Sequence, residues 1–219
     1  MKIIAVFLLF LLSLQQLQAQ TQSAQAAAEI KLLSQKLAND YLFLYHNPNH
    51  FQYLPELQKS LASIEKDLRI IAKDTSNEDI HSMLDYLSYT KDELYDLLED
   101  NTNAANVQKF LDYTDSLVEG VNSILESLNE NLFKEDLQYH ILRLSKLYMA
   151  VHLQFSPSEN KKILSQELNT IEKMIQHINR NIYTSWHSYK RLFTPEPHYF
   201  IPHIVAIAVE DLKQSVDKL

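Results

Sequence analysis

The sequence predicts an all-α protein: an antiparallel four-helix bundle, duplicated into two consecutive helical bundles. The 219 residues include one glycine, Gly120, whereas β-sandwich turns and phosphate-binding loops need several residues that tolerate positive φ. Apolar residues recur at three- and four-residue spacing over most of the chain, as on the buried face of a helix. Short runs rich in asparagine, aspartate and proline separate these stretches and indicate turns.

The composition excludes several functional classes. The chain has no cysteine, which removes disulfides, thiolate metal sites and a cysteine nucleophile. Its formal charge of −8 disfavours a nucleic-acid partner, because protein surfaces that bind nucleic acids are usually basic. We therefore predict no nucleic acid among its partners.

Residues 1–19 have the pattern of a secretory signal peptide. Lys2 gives a short basic start, Ile3–Leu14 is apolar except for Ser13, and Leu17–Ala19 offers a small-residue cleavage pattern. About a dozen apolar residues are too few for a typical membrane span of roughly 20, and the alternative is an uncleaved anchor. We expect a soluble mature protein in the periplasm.

Four amphipathic helices are predicted between residues 26 and 128. The third is expected from about Glu78 to Glu99, and the fourth begins near Ala104. The polar breaks between the helices lie at 47–49, 74–77 and 100–103. Such breaks supply N-cap residues for the helices that follow, and four helices with short connections favour an antiparallel bundle.

The second half repeats the first weakly but in the same order. Four pairs of segments match: 33–48 with 144–157, 61–66 with 168–173, 89–98 with 183–192, and 118–128 with 209–219. The shrinking offset predicts a diverged second bundle at 129–219 that is shortened by about 13 residues. The alternative to duplication is that the matches only reflect the apolar spacing that any two amphipathic helices share.

The junction between the two halves is predicted to be helical throughout. Residues 125–136 contain neither proline nor glycine. The fourth helix of the first bundle is therefore expected to run straight into the first helix of the second.

No set of residues predicts catalysis, a metal site or a cofactor. His46 and His50 flank a proline and so do not share a helix face as a ligand pair would, and the other histidines lack partners at a recognisable spacing. The hydroxyl side chains have no Ser-His-Asp context. Two aromatic groups either line a ligand site or pack in the core: Tyr41, Phe43 and Tyr45, and Tyr183, Trp186, Tyr189 and Phe193. We predict a protein that is not an enzyme.

Residues 26–42, AAAEIKLLSQKLANDYL, resemble the first helix of the PilJ-type sensor domain. This family is also called NarX-like, or the type IV pili methyl-accepting chemotaxis transducer N-terminal domain. The matches are Leu33-Ser34-Gln35, Ala38 and Tyr41-Leu42, which keep the family's spacing. The resemblance covers residues 23–128, and 129–219 would be a diverged second copy of a tandem pair.

The resemblance implies a periplasmic four-helix sensor module. In family members that bind nitrate or nitrite, the anion lies near a dimer axis, against a basic residue of the first helix. Lys31 occupies that position here, and Leu142, next to Arg143, occupies it in the second copy. We predict Lys31, Ser34 and Gln35 as ligand-binding residues. The alternatives are a solvated surface Lys31, and Ser34 and Gln35 bonded within the bundle.

Two functional hypotheses follow. The first is an exported sensor or ligand-binding protein that recognises a small molecule, such as nitrate or nitrite, and acts with a membrane chemoreceptor or sensor protein. The second is a non-catalytic periplasmic adaptor or scaffold that docks other proteins or self-associates. A homodimer is compatible with either, and so is a fused pair that supplies the dimer contact within one chain.

Overall fold

The computed structural model describes residues 2–49, 52–100, 102–129, 132–176, 178, 180–193 and 200–219. For residues 2–20 and Arg180 it describes the backbone alone. The predicted signal peptide therefore has no described side chain.

The described residues form eight α-helices and one 3-10 helix, with no strand, so the predicted all-α class is confirmed. The helices are α1 (Lys2–His46), α2 (Tyr53–Asp74), α3 (Glu78–Glu99), α4 (Ala104–Leu128), α5 (Phe133–His152), α6 (Pro157–Ile175), α7 (Arg180–Tyr189) and α8 (Pro202–Asp217), with the 3-10 helix Lys190–Phe193 after α7. Within the described residues, no helix has both the length and the apolar character needed to cross a membrane.

Asparagine side chains set two of the helix starts. The Asn77 side chain accepts a hydrogen bond from the Asp79 amide at 2.9 Å, and α3 begins at Glu78, directly after Asn77. The Asn103 side chain accepts from the Ala105 and Asn106 amides, both at 3.0 Å, before α4. Each cap satisfies backbone donors that the first helical turn leaves without partners. The predicted starts of α3 and α4 are confirmed.

The prediction of a continuous helix from α4 into α5 is wrong. α4 ends at Leu128, Asn129 adopts a left-handed conformation with φ of 54°, and α5 begins at Phe133. Asparagine tolerates this conformation better than most residues and commonly ends a helix there. The absence of proline and glycine was therefore an insufficient test for continuity.

Helix α1 packs against three others: α2, α4 and α5. Helix α3 packs on α2 and α4, whereas α5 packs on α6 and α8, and α7 packs on α8. One continuous apolar core extends through all these contacts. The Tyr41 and Phe110 rings stack within it at 3.9 Å, and Trp186 is fully buried in the second half.

Helices α1 and α5 run parallel to each other. Lys31 pairs with Asp136, Asn39 with Ser145, and Tyr45 contacts Phe155 just beyond α5. Residues further along α1 thus contact residues further along α5, as expected for parallel helices. The first helices of the two halves are therefore side by side with nearly the same register.

Gly120 lies where α3 and α4 approach closely. A Cβ atom at this position would lie 2.5 Å from Leu87 Cδ2 and 3.1 Å from Met83 Sδ. Leu87 is fully buried and has little room to move. Glycine is required here by space rather than by backbone conformation.

We expect Gly120→Val to lower the free energy of unfolding by about 2 kcal/mol, because the added methyl groups overpack the α3–α4 contact. Urea unfolding followed by circular dichroism measures this change. Ser123→Val, at an exposed position of the same helix, is the control and should cost less than about 1 kcal/mol. Equal losses in the two variants would show that the close approach contributes nothing.

Candidate functional site

A cleft of about 370 Å³ lies where α1, α5 and α8 meet. Apolar residues from all three helices form part of its wall: Leu32, Leu33, Leu142, Ala206 and Val209. The polar lining comprises Glu29, Lys36, Asn39, Asp40, Gln138, Ser145, Glu210, Lys213 and Asp217. This combination of apolar walls and convergent polar groups is typical of small-molecule sites.

Hydrogen bonds between elements fix the polar side chains of the cleft. The Ser145 hydroxyl on α5 donates to Asn39 Oδ1 on α1 at 2.8 Å. Gln138 Nε2 on α5 donates to Asp217 Oδ1 on α8 at 2.6 Å. These bonds tie α5 to both neighbours, so the cleft is held in a defined shape.

The charges in the cleft favour a ligand that carries a positive group. Four carboxylates line it, against two lysines. Lys36 Nζ lies 2.5 Å from Asp40 Oδ2. Burial raises the pKa of Asp40 above its usual range, although the neighbouring Lys36 opposes this shift. The excess of carboxylates is unsuited to an anion unless that anion also bears a cationic group.

Lys31 is not a solvated surface residue. Its Nζ atom lies 2.7 Å from Asp136 Oδ1 on α5 and 4.4 Å from the centre of the Tyr139 ring. Its relative exposure is 9%. The ion pair with Asp136 neutralises the Lys31 charge, which the family resemblance assigns to anion binding. Lys31 also lies outside the α1–α5–α8 cleft and lines a separate depression between α1, α4 and α5.

Ser34 and Gln35 are both fully buried on α1. The Ser34 hydroxyl donates to the Ile30 carbonyl at 2.7 Å, which is a bond within the helix. Neither side-chain polar atom of Gln35 has a partner among the described residues. The three predicted residues share one helix, yet none of them lines the α1–α5–α8 cleft.

Two groups of ion pairs on α5, one around the buried Lys146 and one around the buried Glu167, were missed by sequence reasoning. Lys146 pairs with Asp115 on α4, while Arg143 and His140 both contact the Glu167 carboxylate on α6. Burial lowers the pKa of Lys146 below its usual range, and Asp115 opposes this shift. Each pair joins α5 to a different helix, at separations that sequence spacing does not reveal.

The histidines and aromatic residues mainly pack against one another. The Phe200 ring contacts His46 and His152 at ring-centre distances of 4.8 and 5.1 Å. No group of three potential ligands among the described residues could hold a metal ion. His50, His177 and His198 lie outside those residues.

The chain has no match among models of known protein families, curated proteins or solved structures.

We expect Asp115→Asn to lower the free energy of unfolding by about 2–3 kcal/mol, because it leaves the Lys146 ammonium buried without its counter-charge. The Lys146 side chain is 5% exposed, whereas that of Asp115 is 52% exposed. Lys146→Met should therefore cost less than about 1 kcal/mol, and the double variant should recover most of the loss. Urea unfolding of all four proteins measures the cycle, and equal losses in both single variants would contradict it.

Asp67 on α2 makes the stability of the folded protein depend on pH. Burial, followed by the nearby Glu29 charge, raises its pKa from 3.8 to about 6. The folded protein therefore binds this proton more tightly than the unfolded chain, and the contribution of Asp67 to stability falls as pH rises through about 6.

We expect Asp67→Asn to raise the free energy of unfolding by about 2 kcal/mol at pH 7.5, with the gain disappearing near pH 4. Thermal unfolding at several pH values measures the difference from the wild type. Asp85→Asn, at an exposed position, is the control, and we expect its difference in stability from the wild type to be the same at all pH values. A gain at pH 7.5 that persisted at pH 4 would contradict the assignment.

Proposed function

We propose that this protein is an exported, periplasmic ligand-binding or sensor protein of the PilJ/NarX-like kind, without catalytic activity. In this proposal the α1–α5–α8 cleft holds a small molecule, and a membrane chemoreceptor or sensor protein reads the bound state. The observation that carries the proposal is the cleft itself. It joins the two halves of the chain, so a ligand there contacts both.

The packing supports a duplicated architecture of two four-helix units. Helices α1 and α5 each begin a half, and each packs on the next helix and on the last helix of its half. The parallel contact between them matches what two subunits related by a two-fold axis would make through their first helices. We propose units at 23–128 and 129–219, with the α1–α5 contact in place of a homodimer interface.

The chemistry of the cleft favours a zwitterion, such as an amino acid, over nitrate or nitrite. Glu29 and Glu210 are placed to receive an ammonium group, and Lys213 to receive a carboxylate, whereas Lys36 is already paired with Asp40. A volume of about 370 Å³ accommodates such a molecule, and it far exceeds the volume of a triatomic or tetratomic anion. For Lys31 to bind an anion, it would first have to leave Asp136.

We expect a zwitterionic amino acid in a panel of amino acids, diamines, organic acids, nitrate and nitrite to raise the melting temperature of the protein. Binding to the native state alone stabilises it by mass action. Glu210→Gln should weaken binding at least tenfold in calorimetry, because it removes one charge-assisted contact. Asp211→Asn, the next residue and not part of the cleft lining, is the matched control.

The same panel separates the two ligand classes. A shift with nitrate or nitrite that Lys31→Ala abolishes, and Glu210→Gln does not, would move the site to the predicted Lys31, Ser34 and Gln35 group. No shift with any compound at 10 mM would overturn the ligand-binding proposal.

A second candidate function is a non-catalytic adaptor or scaffold. The observation that favours it is the outer face of α8, where Ile204 and Ile207 are 51% and 69% exposed. Exposed aliphatic residues on one helix face suit a protein contact. Light scattering of wild type and Ile207→Lys would detect self-association through this face, and a monomer in both at 100 µM would exclude it.

A further inference from the structure

The acidic charge of the protein is concentrated in α3 and α4. Residues 78–128 contain twelve Asp or Glu and two Lys, a formal charge of −10, whereas the rest of the chain carries +2. One of the two lysines, Lys91, is buried and lies 2.9 Å from Asp92. The outer surface of this helix pair is therefore almost purely anionic.

Tyrosines interrupt the acidic surface. Tyr86 and Tyr89 on α3 are 46% and 59% exposed. The Tyr113 hydroxyl on α4 donates to Glu93 Oε2 at 2.9 Å, and a hydrogen bond to the same carboxylate raises the pKa of Tyr89. Glu93 thus holds tyrosines of both helices together as one patch.

A groove of about 470 Å³ continues this patch along the α3–α4 contact. Met83, Tyr86 and Gly120 form its floor and wall, and Asp79 and Glu119 lie among its lining residues. Gly120, which lets the two helices approach closely, adds no side chain to fill it. The groove therefore offers an apolar base with carboxylates beside it.

The rest of the molecule packs elsewhere. Helix α3 packs on α2 and α4, and the second half joins the first mainly through α1, with the Lys146–Asp115 pair also joining α5 to α4. The groove and the α1–α5–α8 cleft share no helix and no lining residue, so they are separate sites.

We propose that the tyrosine patch and groove of α3–α4 dock a lysine- or arginine-rich segment of a partner protein. Guanidinium and ammonium groups bind carboxylates and also stack on tyrosine faces, so both components of the surface recognise the same side chains. A second copy of this chain is disfavoured, because two surfaces of charge −10 repel each other. Nucleic acids and anionic lipids are repelled for the same reason.

The probe for this surface is fluorescein-labelled octa-arginine, with octa-glutamate as the opposite-charge control. Fluorescence anisotropy at 50 mM salt should show saturable binding of octa-arginine alone, weaker at 200 mM salt because screening reduces charge attraction. The double variant Tyr86→Ala/Tyr89→Ala should weaken binding at least tenfold, since it removes the stacking surface without changing charge. Tyr183→Ala, another exposed tyrosine, is the matched control.

Charge variants complete the test. Asp79→Asn/Glu119→Gln should weaken octa-arginine binding at least fivefold, whereas Glu159→Gln/Asp211→Asn, with the same loss of charge in the second half, should change it less than twofold. Equal weakening by both pairs, or no effect of the tyrosine variant, would overturn the proposal, because binding would then follow net charge alone. Self-association lost in the tyrosine variant would also overturn it. Neither result depends on the ligand cleft, so the two proposals fail independently.

Discussion

The burial of α1 is the constraint on which the rest of the structure depends. Its side chains face α2, α4 and α5 at once, and Ala24, Ala27 and Ala38 are fully buried between them. Small residues let several helices approach one axis closely, and a helix that packs against three neighbours is largely internal. The two halves share this helix as a common wall, and the ligand cleft lies along it.

The same burial explains the polar groups at the junction of the halves. A charge taken out of water needs a partner, so Lys31 pairs with Asp136, and Lys146 pairs with Asp115. These pairs specify which face of α5 meets α1 and α4. Gln35 and Ser23 on α1 are exceptions, since the buried Gln35 amide and the buried Ser23 hydroxyl have no partner among the described residues and cost free energy that the surrounding packing offsets.

Local sequence signals predicted much of the fold, whereas contacts between residues far apart in the chain could not be predicted from the sequence. Asparagine caps gave the starts of α3 and α4, because a cap acts within three residues. The turn at Asn129 was missed, because asparagine also occurs within helices and only its left-handed conformation ends one. The environment of Lys31 depends on Asp136, 105 positions away, so spacing could not predict its burial or its ion pair. The cleft was missed for the same reason: its lining comes from three distant helices.

The uneven charge of the chain also gives the molecule an electric dipole moment. With −10 on residues 78–128 and only +2 elsewhere, the negative pole lies at the α3–α4 pair and the remaining helices are nearly neutral. Near a negatively charged bilayer the molecule experiences a torque that turns α3–α4 away from the lipid, within a Debye length of about 8–10 Å at physiological salt. The tyrosines would then face the aqueous side.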